Sequence, residues 1–357
     1  MLDREVVFKD LIGDKEFAEI EKNAKDNINH PVFYLLYDQD YAVSSYNYRL
    51  AIRENTKNAI SLLYTKRQEW LKKRIKRLME KDRSNVSAVL GEIRCYGYLV
   101  DVFGSDLVKD IPEKRNQSTP DFVLSIDNQN ISVECASVQI NQKVYNELYI
   151  FGRDKHLGEF VLAPFGKKNN SSLYQSVILK LMSVKEKNSQ LTKSQPSVLW
   201  IDLQDEYICK LGTRIDVNGP FFSNIISCGV VGVFSNELWY SCYAHENDSV
   251  YEGETLNPEL GRATDTGKMR YSGRFYDSDN NHISAVVFSG PNSVCVYENP
   301  MAIHKIPDSF MRKMSSGKGF KIEASRTHLL CGDLETTLNN DRRILNHYSD
   351  MEWYSVI

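Results

Sequence analysis

The sequence predicts an α/β protein with a mixed central β-sheet flanked by helices and a helical N-terminal region. Three observations support this fold class. Apolar residues recur at helical spacing through the first part of the chain, and short apolar strands alternate with helical segments in its middle. The composition, 42% hydrophobic and 25% charged over 357 residues, is that of a globular protein with one large domain or two ordinary ones.

The helices of the N-terminal region follow from apolar periodicity. The first is predicted over 14–27, and a long second helix with a strongly basic second half is predicted over 48–82. Ser84-Asn85 interrupts the pattern, and a third helix is predicted over about 86–103, with Gly104 as its stop. The apolar face of the first helix consists of Phe17, Ile20 and Ala24.

Strands are predicted where short apolar runs are bounded by turn residues. Phe122 to Ile126 and Ile131 to Cys135 are two such runs, and the polar segment Asp127 to Asn130 between them predicts a hairpin turn. The remaining elements, in chain order, are a helix over 172–187, a strand over 197–203 and a second hairpin with strands over 283–290 and 293–298.

These elements divide the chain into three regions. Residues 1–83 are a helical N-terminal region, and residues 84–300 are the α/β core with an insertion at about 205–280. Residues 301–357, which are polar with weak periodicity, form a C-terminal extension.

Charge and cysteine content exclude several classes of protein. The net charge of −3 gives no global attraction to nucleic acid, so any such attraction must come from a local basic patch. No apolar run is long enough to span a membrane, and the charged N-terminus lacks the apolar core of a signal peptide. The seven scattered cysteines form no CxxC pair, which favours free thiols in a reducing cytoplasm over a zinc ribbon or a redox dithiol.

Three acidic residues stand out by their positions. Asp121 begins the first strand of the predicted hairpin and Glu134 lies near the end of the second, so the two carboxylates are expected to converge at one edge of a sheet. Glu92 lies on the preceding helix. Paired carboxylates of this kind suit a hard divalent cation, because such cations take oxygen ligands. Each acid also has a plain structural interpretation, as a turn residue, a paired strand residue or a surface helix residue.

A helix bearing Glu92, a polar loop, Thr119-Pro120-Asp121-Phe122 and a strand that ends in an apolar residue and Glu134 together resemble the PD-(D/E)xK nuclease superfamily over about 85–205. The resemblance implies a restriction-endonuclease-like core. It also implies that Asp121, Glu134 and the carbonyl of Cys135 hold Mg²⁺ or Mn²⁺, with Glu92 assisting. A metal held in this way activates water and neutralises the charge that builds on the phosphate.

The motif lacks its lysine, because Ala136 stands where the family has that residue. A lysine there would orient the attacking water and stabilise the charged transition state. In some members of the superfamily the lysine stands on the following helix, which makes Lys180 our candidate. Gln139 and Lys143 are the weaker substitutes, and the absence of any substitute is the fourth alternative.

Other chemistry has less support. A thiol nucleophile at Cys135 with His156 lacks any accompanying pattern, and a buried strand cysteine is usually inert. Ser315-Ser316-Gly317-Lys318-Gly319 is not a complete phosphate-binding loop. The basic stretch 66–77 is either a solvated helix face or a surface that contacts phosphates, which Lys114-Arg115 and Lys167-Lys168 would extend.

By this resemblance the chain is expected to be a metal-dependent endonuclease that hydrolyses phosphodiester bonds of DNA, in restriction or anti-phage defence. The alternative is a catalytically inactive nuclease-fold module that binds nucleic acid or a protein partner. No membrane association is expected, and a homodimer or a protein partner stays open.

Overall fold

The computed structural model describes the greater part of the N-terminal half of the chain and the central strands of a sheet. The described residues fall in several ranges. They are 4–26, 30–36, 46–112, 119–138, 191, 193–204, 221–227, 230–235, 242, 251–255, 274–276, 280–291, 294–316 and 329–332.

Six helices precede the sheet in the described chain, and a seventh follows its central strands. A short 3-10 helix also spans Arg274–Tyr276. The helices are α1 (Arg4–Ile12), α2 (Asp14–Asp26), α3 (Phe33–Leu36), α4 (Tyr46–Lys66), α5 (Gln68–Arg77), α6 (Arg83–Phe103) and α7 (Asp308–Ser316).

Among the described residues the main sheet is mixed and has seven strands, in the order β1-β2-β3-β4-β8-β9-β10. Its strands are β1 (Val108–Asp110), β2 (Phe122–Ile126), β3 (Gln129–Ser137), β4 (Ser197–Asp202), β8 (Ala285–Ser289), β9 (Val294–Glu298) and β10 (Leu329–Gly332). β3, β4 and β8 are mutually parallel, whereas the β1–β2, β2–β3 and β8–β9 pairs are antiparallel. The predicted α/β class with a mixed sheet is therefore confirmed.

A separate antiparallel sheet of three strands lies within the predicted insertion at about 205–280. Its strand order is β5-β6-β7. These strands are β5 (Phe221–Ser227), β6 (Val230–Ser235) and β7 (Tyr251–Thr255).

Several predicted elements agree with the structure because local signals determine them. Phe17, Ile20 and Ala24 are the buried face of α2, as their spacing predicts. Gly104 ends α6 at a φ of +93°, a backbone conformation that favours glycine. Asp127 and Asn128 both have positive φ, which lets two residues turn the β2–β3 hairpin. β3 consequently begins at Gln129, two residues before the predicted start of that strand.

The single long helix predicted over 48–82 is wrong, because the chain breaks into α4 and α5 at Arg67. Arg67 leaves helical geometry, with φ −146° and ψ 47°. Its guanidinium donates to the Tyr96 hydroxyl at 2.7 Å and to the carbonyl oxygens of Ser105 and Val108. These bonds hold α5 against α6 and β1. The break is therefore set by contacts between distant parts of the sequence, which apolar periodicity does not report.

One continuous hydrophobic core joins the N-terminal helices to the sheet. Phe8 of α1, Ile60 of α4 and Leu71 of α5 belong to the same buried cluster as Ile93 of α6 and Val133 of β3. The predicted C-terminal extension also contributes to this body. The ring of Phe310 in α7 stacks on Phe103 at 5.4 Å, and β10 extends the sheet beyond β9.

A buried ion pair joins α6 to the carboxyl end of β4. Arg94 donates to both carboxylate oxygens of Asp202, Nε to Oδ1 at 3.1 Å and Nη2 to Oδ2 at 2.6 Å. The third guanidinium nitrogen donates to the Thr56 hydroxyl on α4 at 3.1 Å. Both charged side chains are less than 5% exposed. One arginine therefore links two helices to the sheet.

The close approach of α6 to the sheet depends on a glycine. A β-carbon at Gly91 would lie 2.2 Å from Ser137 Oγ and 3.2 Å from Asp202 Oδ2. A side chain there would push the helix away from the ends of β3 and β4. Gly91 therefore sets the distance at which Arg94 meets Asp202.

Asp202→Asn should lower the free energy of unfolding by about 3–5 kcal/mol, because it leaves the buried Arg94 guanidinium without its counter-charge. Urea denaturation followed by circular dichroism measures the loss. Asp101→Asn, which changes an exposed acid on α6, the helix of Arg94, is the matched control and should change stability by less than about 0.5 kcal/mol. A loss below about 1 kcal/mol for Asp202→Asn would show that the ion pair does not support the fold.

A buried histidine should make stability depend on pH. Burial lowers the pKa of His30 below 6.5; the hydrogen bond to Glu80 O opposes this shift, and the charge of Arg83 adds to it. The unfolded chain therefore takes up a proton first as the pH falls. The contribution of neutral His30 to the free energy of unfolding should be fully present above pH 6.5. It should decline as the pH falls from 6.5 toward the pKa of His30 in the folded protein.

His30→Gln keeps a donor for Glu80 O, which His30 Nε2 contacts at 3.2 Å, and removes the titration. The melting temperature of this variant should fall less than that of the original protein between about pH 7.5 and about pH 5.5. Identical pH profiles for the two proteins would exclude His30 as the source of the dependence.

Candidate active site

The end of the β2–β3 hairpin brings the first predicted acid against the second strand. Asp121 Oδ2 accepts a hydrogen bond from the backbone N–H of Cys135 at 2.8 Å. The carbonyl oxygen of Asp121 accepts from Ile111 N at 3.0 Å, which continues the β1–β2 pairing by one residue. A strand N–H lies close to the plane of its sheet. The Asp121 carboxylate therefore lies near that plane, immediately before the first residue of β2.

The second predicted acid lies beside this contact but on the other face of the sheet from α6. Phe122 pairs with Val133, and its ring stacks on that of Tyr96 in α6 at 4.7 Å. Val133 and Cys135 therefore face α6, and alternation along β3 turns Glu134 to the opposite face. Glu134 is only partly buried. Ala136, which replaces the family's lysine, shares the face of Glu134.

The carbonyl oxygen of Cys135 has the direction that the resemblance requires. The N–H and C=O of one strand residue point to the same side of that strand. Since the Cys135 N–H points to Asp121, its carbonyl points to the same side, where β2 has not yet begun. Asp121 and this carbonyl therefore lie at the end of the hairpin, next to the backbone of Glu134.

The third predicted acid is engaged in ion pairs. Glu92 Oε2 lies 2.6 Å from Arg74 Nε, and Glu92 Oε1 lies 3.8 Å from Arg77 Nη1. The Arg74 guanidinium in turn lies 5.2 Å from the centre of the Trp70 ring. These contacts tie α5 to α6. They assign Glu92 a structural role, and its assistance to a metal stays a prediction.

The donors at the hairpin end fit a hard cation in part. Two carboxylates and one carbonyl are oxygen donors, and Mg²⁺ needs only a few protein oxygens because it keeps several waters. A three-acid group is not formed: within the described part of the chain, no three His, Cys, Asp or Glu side chains are grouped so that they could hold a metal ion. A metal here would be held by Asp121, Glu134 and the Cys135 carbonyl.

A pair of hydrogen-bonded thiols, Cys95 buried and Cys135 half-buried, lies behind the hairpin end. The hydrogen bond to Cys95 and burial raise the pKa of the Cys135 thiol well above its usual value. Burial likewise raises the pKa of Cys95, and the negative charges of Asp121, Asp202 and Glu92 add to that rise. Both thiols are consequently protonated near neutral pH. The structure thus gives no support to Cys135 as a nucleophile, which needs a thiolate.

Several predicted residues lie outside the described part of the chain, so their positions relative to the acids stay predictions. The helix over 172–187 is among them. The residues are Lys180, Gln139, Lys143, His156, Lys114-Arg115, Lys167-Lys168 and Gly317-Lys318-Gly319.

Sequence reasoning missed the ionic contact between Arg94 and Asp202. The signal was present in both segments. Asp202 follows a run of five apolar or small residues in β4, and Arg94 falls on the buried face of α6 beside Leu90 and Tyr98. A charge in either place needs a partner of opposite sign.

Alkylation measures the state of the thiols. Cys95 and Cys135 should resist iodoacetamide in the native protein at about pH 8, because their pKa values are raised, and should react at once in urea. Mass spectrometry of the digested protein locates the modification. Cys242, also buried, is the internal control. Rapid native labelling of Cys135 ahead of Cys242 would contradict the assignment.

No helix among the described residues is both long enough and apolar enough to cross a membrane. Comparison with known proteins returns no matching family model, no matching curated protein and no matching solved structure.

Proposed function

We propose that the protein is a metal-dependent nuclease that hydrolyses phosphodiester bonds at the end of the β2–β3 hairpin. The hydrogen bond from Cys135 N–H to Asp121 Oδ2 carries the proposal, since it brings the first acid next to the residue that follows Glu134. A mixed sheet with a helix before the hairpin and a parallel strand after it agrees with the nuclease resemblance of the sequence.

Each proposed ligand is positioned by a different part of the backbone. The bond to Cys135 N–H restrains the Asp121 carboxylate, and the pairing of β3 with β2 and β4 on its two sides restrains the Glu134 backbone. The Cys135 carbonyl is fixed by the same strand. Mg²⁺ or Mn²⁺ bound by these oxygens supplies an activated water and neutralises charge on the phosphate. Lys180 is the proposed source of the missing amine.

DNA is the proposed substrate, and restriction or defence against foreign DNA is the proposed role. Both come from analogy with the resembled superfamily. The net charge of −3 leaves DNA binding to local basic groups.

Two observations favour a second candidate, a nuclease-fold module that binds nucleic acid or a protein partner without cutting. Ala136 is 8% exposed and carries no group that could move a proton. Glu92 is held by two arginines. An enzyme with these two features depends wholly on an amine from elsewhere in the chain, whereas a binding module needs none.

Plasmid cleavage separates the two candidates. With Mg²⁺ or Mn²⁺ the protein should nick or linearise supercoiled DNA, and EDTA should abolish the reaction. Asp121→Asn and Glu134→Gln should each lower the rate about 1,000-fold or more, because each removes a ligand from a metal that supplies several kcal/mol. Lys180→Ala should do the same if Lys180 supplies the amine.

Asp127→Asn is the matched control, because it makes the same change in an exposed residue at the other end of the hairpin. It should leave the rate unaltered. Full activity of Asp121→Asn would refute the proposed site. Loss with Asp121→Asn and full activity of Lys180→Ala would remove only the lysine assignment. DNA retention in a gel shift without cleavage under any condition would favour the binding module.

A further inference from the structure

The end of α4 and the outer surface of α5 carry an excess of positive charge. Residues 66–77 contain seven basic residues and one acid, Glu69. The basic residues divide into two groups that differ in environment. Three arginines are engaged in the structure, and four lysines are not. The lysines are Lys66, Lys72, Lys73 and Lys76.

The arginines anchor the helix. Arg67 donates to the Tyr96 hydroxyl and to two carbonyl oxygens, and Arg74 and Arg77 pair with Glu92. The apolar residues of α5 also face the interior, since Trp70, Leu71 and Ile75 are all buried. α5 is therefore held rigidly, and its position does not require the lysines.

The lysines face outward. Lys66, Lys73 and Lys76 are exposed, and Lys72 is partly buried. Lys73 and Lys76 are three residues apart and so lie on one face of the helix. None of the four has an ion-pair partner within the described part of the chain. We call the three exposed residues, Lys66, Lys73 and Lys76, the lysine ridge.

Two residues of the ridge, Lys73 and Lys76, are on α5, and Lys66 is the last residue of α4. The buried face of α5 packs beside the candidate active site. The Trp70 ring of α5 lies 6.0 Å from the ring of Phe122, the residue that follows Asp121. Arg74 reaches Glu92 from the same helix at 2.6 Å. A polyanion bound along the outer face of α5 would lie on the α6 side of the sheet, opposite to the face of Glu134.

We propose that the lysine ridge binds the sugar-phosphate backbone of nucleic acid on the α6 side of the sheet. α5 has ten residues and is about 15 Å long, and duplex DNA presents one phosphate per strand for about each 3.4 Å of its axis. Flexible ammonium groups act as point charges toward phosphate without reading bases. The proposal rests on the proposed function only in the choice of substrate, because binding does not require cleavage.

A membrane surface is a poorer fit. A basic helix that binds lipid inserts an apolar face between the headgroups. The apolar face of α5 is already buried against α6 and β2, where Trp70 contacts both Tyr96 and Phe122. Only its charged side remains for a partner.

The test is binding of a labelled DNA duplex, followed by fluorescence anisotropy, with EDTA and with Asp121→Asn in every protein so that no cleavage occurs. The affinity is measured from about 50 to about 200 mM NaCl. Lys66→Gln, Lys73→Gln and Lys76→Gln combined should reduce the slope of log affinity against log salt by about 2 to 3, because each phosphate contact contributes about 0.9. The affinity at the lowest salt should fall at least about tenfold.

Lys15→Gln, Lys193→Gln and Lys305→Gln combined remove the same charge from exposed positions outside α4 and α5 and are the matched control. The control should bind as the unaltered protein does. Circular dichroism should show both triple variants folded, since every substituted lysine is exposed. Three results would overturn the proposal: an unchanged salt slope for the ridge variant, an equal loss of slope in the control variant, or no duplex binding by the Asp121→Asn protein with all its lysines.

Vesicles with and without phosphatidylserine provide the last arm. Binding to anionic vesicles that the ridge variant loses, together with an unaltered DNA slope, would assign the ridge to a membrane and overturn the proposal. A reduced DNA slope without plasmid cleavage by the unaltered protein would sustain the ridge and refute the nuclease function, so the two failures are distinguishable.

Discussion

The ion pair between Arg94 and Asp202 is the constraint on which the rest of the structure depends. A buried guanidinium that donates to two carboxylate oxygens permits one distance and one orientation between α6 and β4. Its third bond, to Thr56, adds α4 to the same fixed point. Gly91 allows this approach because it presents no β-carbon to Ser137. The cost of burying two charges is offset only while both partners are present, so the contact favours a single arrangement.

The position of α6 determines what surrounds the candidate active site. With α6 held at Asp202, Cys95 lies against Cys135, and Tyr96 stacks on Phe122. α5 is attached to α6 through Arg67 and Arg74, and Trp70 of α5 also reaches Phe122. Arginine therefore holds two of the carboxylates in this region, at Asp202 and Glu92. The two hairpin acids, Asp121 and Glu134, lie at the end of the sheet, where a metal site is proposed.

Much of the fold was predictable because its signals are local. Apolar spacing predicts α2, the glycine at 104 predicts the end of α6, and the apolar run after Pro196 predicts β4. The break at Arg67 was not predictable in this way, because its cause is a set of hydrogen bonds to residues 29 to 41 positions away. The N-terminal region also joins the core of the sheet, although its polar and basic segments suggest a separate attachment.

By itself, the sequence determined the α/β class, the hairpin and the adjacency of Asp121 to the strand of Glu134, since two strands joined by a two-residue turn can pair in few registers. Only the tertiary structure decided which charged residues serve the fold. Glu92, Arg74 and Arg94 have ordinary helical surroundings in the sequence. Their ionic partners are on other elements, 15 to 108 residues away along the chain. Pairing over such separations depends on how helices pack on the sheet, and no local pattern encodes that packing.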